Sequence, residues 1–428
     1  MLTSSRSGFL AAGLLALSVS GGTAQAAQLQ GAFDGNAYAS FANAKAGQIG
    51  ASLDRSAFVS CTCEGTDGKT VTKEVKAVKS GDDGKVLGAK ATISSTFTQK
   101  TDSTAEVKNT STINGLNALA GMITADNVNA SADVSATASA MTPSSAGSGF
   151  TNLKIAGQSV PDQVAPNTSM PLPGIGTVTL NKVVTAGKFR QNGQILVEMM
   201  SIQVTERNNS LGIPNGSKIV IGHAAAAFTR NQPAYVFNGQ AFASAANGAA
   251  GNDLENRIGK GAPVSIDCAG TGGKTISNSL NGLAVSGLMS SGDAITTAFA
   301  GPQGDAQVAR TTASVANLSM IGGLITAPSI QAVAQDSIQG SKETASTDGS
   351  GFSGLTIAGV AVPVDAPPNT SLPLPGIGTV VVNEQIVKNS GNVTVNGLHI
   401  TVTSPNTLGM PVGSELIVAH ASASAKPF

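Results

Sequence analysis

In the stretch MSIQVTE the apolar Met200, Ile202 and Val204 alternate with Ser201, Gln203 and Thr205, and in LHITVTS Leu398, Ile400 and Val402 alternate with His399, Thr401 and Thr403. A period of two sends one set to a core face and the other toward water, the signature of a half-buried strand. FTNLKIAG and KIVIGHA, with their later counterparts, follow the same rule. Between such runs lie PNTS, LPGIG, IPNG and GDDG, which supply the Pro, Gly, Asn and Asp that tight turns require. Many short strands with regular turns predict an all-β chain of antiparallel, sandwich-like sheets. One segment is ambiguous: GLNALAGMITADNV sets Leu116, Leu119 and Met122 at helical spacing, but Gly115 and Gly121 weaken a helix, so a short helix and a strand pair both stand.

The pattern occurs twice. PNTSMPLPGIGTVTLN begins at Pro166 and PNTSLPLPGIGTVVVN at Pro368, an offset of 202 with 13 of 16 residues matching. Upstream, GSGFTNLKIAG at Gly147 faces GSGFSGLTIAG at Gly349, and GMITADNVNA at Gly121 faces GLITAPSIQA at Gly323. CEGTDGKT at Cys63 pairs with CAGTGGKT at Cys268; downstream, LGIPNGSKIVIGHAAA at Leu211 pairs with LGMPVGSELIVAHASA at Leu408. The offset changes between matched blocks, where loop insertions cost little. A unit of this length is large enough to own a core. The expectation is two tandem homologous domains from an internal duplication, residues 27–230 and 231–428.

The first residues carry one positive charge at Arg6, an apolar run from Phe9 to Val19 and the small-residue sequence AQA ending at Ala26. That run is too short to span a bilayer and ends where a signal peptidase can cut, so residues 1–26 are expected to be a signal peptide cleaved after Ala26. Nothing later predicts a transmembrane helix in the mature chain. Charged residues make up 12% of the chain and balance to zero, which gives no electrostatic reason for a nucleic-acid partner. The absence of Trp and the presence of two Tyr in 428 residues argue against a sugar site built on stacked rings. A lysine-rich stretch from Lys69 to Lys90 reads as a solvated hairpin turning at GDDG, with a contact patch for an acidic surface polymer as the sharper alternative.

The motifs that carry chemistry are few. GTDGKT and GTGGKT lack the Gly that a phosphate loop needs five residues before its Gly-Lys pair, since Cys63 and Cys268 stand there; both read as turns. Among the cysteines, a Cys63–Cys268 disulfide would join the two domains, whereas Cys61–Cys63 would close a strained small ring; the odd count leaves one thiol over. Three cysteines without a nearby His do not make a zinc site. His223 and His420 occupy matching places and read as structural or exposed, and His399 is the third histidine. No catalytic motif, cofactor site or metal site is expected, although paired carboxylates of a hydrolase would come together only in the fold.

The succession GLITAPSIQA, GSGFSGLTIAGVAV, PPNTSLPLPGIGTVVVNEQ, VNGLHITV and LGMPVGSELIVAHASA resembles the exported bacterial surface proteins of the choice-of-anchor P family, and both halves show it. The resemblance implies an extracellular or cell-surface β protein without an established catalytic site. After Ala425 the chain ends in KPF, with no sorting motif or apolar helix, which points to release or noncovalent attachment. The expected function is a non-catalytic structural or adhesive protein, at the cell surface, outside the cell or in the periplasm, that self-associates or joins the envelope matrix. The alternative is an extracellular binding module for a small ligand or glycan, which predicts a concave polar site.

Overall fold

The computed structural model describes residues 29–43, 53–80, 84–188, 191–230, 234–247, 253–255, 258–285, 288–388, 391–406 and 410–428. The expected signal peptide, Pro233 of the join and Asp82 and Asp83 of the lysine-rich stretch lie outside them. The described chain is all-β, and its strands form four sheets of 7, 11, 7 and 10 strands.

The strand order repeats. In the first half a seven-stranded sheet runs Thr168–Leu172, Gly176–Ala186, Asn192–Val204, Lys218–Thr229, Ala32–Asn43, Leu53–Ser56, with Val59–Ser60 also on Ala32–Asn43. In the second half the order is Thr370–Leu374, Gly378–Val387, Val393–Val402, Glu415–Pro427, Tyr235–Asn247, Ile258–Gly261, with Val264–Ile266 also on Tyr235–Asn247. Registers agree as well, for Thr168 lies opposite Leu180 and Thr370 opposite Val382. Each larger sheet is built on three long antiparallel strands: Ala91–Lys100, Thr104–Ala118 and Ile123–Thr137 in one, Ala294–Gln303, Ala306–Met320 and Ile325–Gln339 in the other.

The two sheets of each half pack face to face, and each half has its own hydrophobic cluster. Val197, Met200 and Ile202 of the smaller sheet share one buried cluster with Ile113, Val128 and Val134 of the larger; in the second half Val395, Leu398 and Ile400 share another with Val315, Ile330 and Ile338. Much of the remaining core is alanine, which lets the sheets approach closely without aromatic filling.

The PNTSMPLPGIG motif is a hairpin at the sheet edge. Thr168–Leu172 pairs with Gly176–Ala186 through a turn in which Gly174 has φ +72°, and the Ile175 amide donates to the Leu172 carbonyl at 3.0 Å. A Cβ on Gly176 would lie 2.1 Å from the Gln203 carbonyl oxygen, so the close approach of the next strand requires glycine. The segment with helical spacing is a strand pair. Thr104–Ala118 turns through Leu119 and Ala120, both at φ +53°, into Ile123–Thr137. The lysine-rich stretch holds an edge strand, Thr70–Val75, with Lys73 and Glu74 exposed, and a short antiparallel pair, Ala77–Ser80 with Leu87–Ala89. GTDGKT and GTGGKT form turns fastened to the neighbouring strand: Gly68 donates to the Thr98 carbonyl at 2.8 Å and Gly273 to the Ala300 carbonyl at 3.1 Å.

Candidate functional site

The chemistry-bearing side chains gather on the outer face of the two seven-stranded sheets, and a local break in alternation puts them there. In the first half the ladders skip Ala39, Asn181, Met199 and Gly222, one residue on each of four adjacent strands. Asn181 and Gly222 take positive φ, +45° and +70°. The second half skips Ala243, Asn383, Gly397 and Ala419 in the same way, with Asn383 at +49° and Ala419 at +53°. Along this line the period of two slips by one. Val197 and Met200 therefore both face the core, while Glu198 and Ser201 both face outward; likewise Val395 and Leu398 face inward and Asn396 and His399 outward.

Beside the line, side chains directly opposite one another form a row across each sheet. In the first half it runs Lys182, Glu198, His223, Tyr38. Lys182 Nζ lies 3.0 Å and Lys218 Nζ 2.8 Å from the Glu198 carboxylate. Burial opposes ionisation of Glu198, but hydrogen bonds from Lys218 and Lys182 outweigh it and hold the carboxyl below its usual range. The imidazole of His223 stacks on Tyr38 with ring centres 4.1 Å apart, and the Arg55 guanidinium sits 5.4 Å from the Tyr38 ring centre. Burial pushes His223 down to about 4 and raises the Tyr38 hydroxyl.

The second half keeps the layout and changes the charges: Glu384, Asn396, His420, Phe242. Asn396 Nδ2 donates to Glu384 Oε2 at 2.6 Å, and His420 Nδ1 lies 2.7 Å from Asn396 Oδ1. An amide oxygen only accepts, so the neutral His420 carries its proton on Nδ1, and burial pushes its pKa down to about 4. His420 stacks on Phe242 at 4.3 Å, and Lys260 Nζ lies 4.9 Å from that ring's centre. His399 Nδ1 lies 2.9 Å from Glu384 Oε2 and its Nε2 3.8 Å from Glu415 Oε1. The hydrogen bond to Glu384 raises the His399 pKa and lowers that of Glu384.

The cysteines join the halves. Cys63 and Cys268 form a disulfide with Cα atoms 5.6 Å apart, and Cys61 is a half-buried free thiol that burial pushes up to about 12. The junction has local two-fold character. Phe33 N–H donates to the Cys63 carbonyl at 3.0 Å and Phe237 N–H to the Cys268 carbonyl at 3.1 Å. Each sulfur also approaches the other half, Cys63 Sγ lying 3.9 Å from the Phe237 oxygen and Cys268 Sγ 3.5 Å from the Phe33 oxygen. Lys426 and Glu64 add an exposed ion pair at 2.8 Å across it.

Glu384 and Glu415 flank His399 on a sheet face, and Asp336, a buried acid, spends one oxygen accepting from the Ala425 amide at 2.7 Å. A depression of about 420 Å³ is lined by Gly187, Lys188, Gln191, Asn192, Thr229 and Arg230 and contains no carboxylate. Among the described residues, no group of three His, Cys, Asp or Glu is placed to hold a metal, and no helix is long and apolar enough to cross a membrane. Comparison with protein-family models, with curated proteins and with solved structures found no match. The sequence assigned His223 and His420 matching places, structural or exposed, and both are buried; it did not foresee Tyr38, Glu198, Glu384 or Asn396, whose outward placement depends on the slipped alternation.

Proposed function

We propose that this chain is an exported, non-catalytic structural or adhesive protein of the cell surface or extracellular space, of the choice-of-anchor P kind, acting through the outer faces of its sheets. The observation that carries the reading is that the side chains able to do acid-base chemistry are bonded to one another across flat sheet faces instead of converging on a cleft. A group locked between two partners holds its proton poorly poised for transfer to a substrate. The disulfide, formed between residues 205 positions apart, suits a compartment where thiols oxidise.

Faces are favoured over edges by the prolines. Pro171 and Pro373 sit in the outermost strands of the two seven-stranded sheets, opposite Thr177 and Thr379. Proline gives no N–H to an incoming strand, a common device against edge pairing. The opposite edges, Leu53–Ser56 and Ile258–Gly261, lie against each other.

Fractionation of the producing cells into cytoplasm, envelope and medium, with antibody labelling of intact cells, tests this function. The protein is expected on intact cells or in the medium; recovery confined to the cytoplasm would overturn the reading.

A further inference from the structure

The two outer faces carry opposite charge at equivalent places. Lys182 and Lys218 in the first half correspond by strand order and register to Glu384 and Glu415 in the second, Glu198 to Asn396 and Ser201 to His399. In the first half two lysines, 33% and 39% exposed, share one buried carboxylate, which leaves a charge of +1. In the second, Glu384 and the half-exposed Glu415 share His399, which leaves −1 with the imidazole protonated and −2 with it neutral. Each face also presents an uncovered aliphatic side chain two residues along the same strand, Val184 at 48% exposure and Ile386 at 43%. The asymmetry extends beyond the faces, for residues 27–230 hold 17 Lys and Arg against 14 Asp and Glu, and residues 231–428 hold 7 against 11.

From this complementarity we propose that the outer face around Lys182, Lys218 and Val184 of one copy docks on the outer face around Glu384, Glu415 and Ile386 of a second copy. This rests on the surface-protein reading and names its partner as the chain itself. Because the lysine and glutamate pairs occupy the same register positions in sheets of the same order, their spacing matches, and two points at equal spacing can be apposed face to face. The contact is heterologous: each docked copy still offers its unused face, so association continues head to tail instead of closing as an isologous pair. Glu198 does not compete for the incoming carboxylates, since it already occupies both lysines without cancelling them. Neutralisation of His399 doubles the negative charge of the acceptor face, so assembly strengthens as pH rises. The charged groups facing His399 are Glu384 and Glu415, with His420 and Lys260 further along the row.

Sedimentation velocity of the purified chain at low salt, at pH 5 and pH 8, tests the proposal. Species larger than the monomer are expected to grow with concentration, to be favoured at pH 8, and to dissolve at about 1 M salt, where charges are screened within about 3 Å. Grafting the second half's set onto the first, Lys182→Glu, Glu198→Asn, Ser201→His and Lys218→Glu, makes both faces acidic with residues this sheet already tolerates, and is expected to weaken assembly at least about tenfold. The reciprocal graft, Glu384→Lys, Asn396→Glu, His399→Ser and Glu415→Lys, makes both faces basic and has the same effect; mixing the two grafted proteins restores assembly. Glu415→Lys alone, at an exposed position, reads the same prediction without the core of the row. A wild-type chain that stays monomeric in every condition, or assembly unchanged by these variants, would overturn the inference. Such a result, with the protein still at the cell surface, leaves the proposed function standing; a cytoplasmic location would remove that function whatever the chain's assembly state.

Discussion

The first half buries hydroxyls that the second half does not. Thr92, Ser94 and Ser111 are essentially inaccessible, and their hydroxyl oxygens have no hydrogen-bond partner. Ser94 lies directly opposite Ser111, and Thr92 is the next inward residue on the same strand. At the matching places the second half has Ala294 for Thr92 and Ala313 for Ser111, both fully buried, while its Thr296 donates to the Ala262 carbonyl at 2.6 Å. A buried, unsatisfied hydroxyl costs about 1 to 3 kcal/mol. Ser111→Ala removes that cost and little else, and Thr92→Val replaces the hydroxyl with a methyl of similar size. Each is expected to stabilise the protein by about 1 kcal/mol, and the pair by about 2 kcal/mol. Urea unfolding followed by circular dichroism measures this as a raised midpoint with an unchanged slope; in a thermal scan the gain is roughly 2 to 4 °C per kcal/mol for a unit of this size. Loss of 1 kcal/mol or more in either variant would refute the reasoning, because it would mean that the hydroxyls hold ordered water worth more than their burial costs.

Other expectations follow from the same physics. Burial raises the pKa of Asp336 to about 6 from 3.8. Its folded form therefore binds a proton more tightly than its unfolded form, so its contribution is most favourable below about pH 4 and is lost as pH rises through 6, on the order of 3 kcal/mol in total. Asp336→Asn, which can still accept from the Ala425 amide, should flatten the difference in denaturation midpoint between pH 4.5 and pH 7.5; an unchanged difference would contradict this. The double replacement Cys63→Ala with Cys268→Ala removes a cross-link spanning 205 residues and is expected to cost about 5 kcal/mol in the chain-entropy limit, read under nonreducing conditions as an unfolding midpoint below that of the oxidised wild type. Gly176→Ala places a methyl 2.1 Å from the Gln203 carbonyl and should destabilise by about 3 kcal/mol; a neutral effect in urea unfolding would show that the two strands can separate at no cost.

How much of this was legible in the sequence depended on whether the signal was local. The alternation of Met200, Ile202 and Val204, the turn residues of PNTSMPLPGIG and the repeat at an offset of 202 are local patterns, and the strands, hairpin and repeated strand order follow them. The hairpin at Leu119 was obscured because two of its three positive-φ residues, Leu119 and Ala120, are not the glycine or asparagine that usually marks such a turn, and Gly121 alone is; the second half has Ile321, Gly322 and Gly323 there, with two glycines. The rows on the outer faces were hidden for another reason. Glu198 and Ser201 are three residues apart and would face opposite sides of an ideal strand. The slip at Met199 brings them to one side, and it depends on Asn181 and Gly222 of neighbouring strands, so no window within one strand reveals it. The pairing of Lys182 with Glu198, or of Glu384 with His399, likewise needs the register between two strands, which neither strand shows alone.

Peptide mapping under nonreducing conditions, on protein alkylated at harvest and recovered from intact cells and medium, tests most directly whether this is an exported protein of two joined halves. A cross-linked peptide pair containing Cys63 and Cys268 is expected, with Cys61 alkylated as a free thiol. Alkylation of Cys63 and Cys268 as free thiols, or a bridge that uses Cys61 instead, would contradict it.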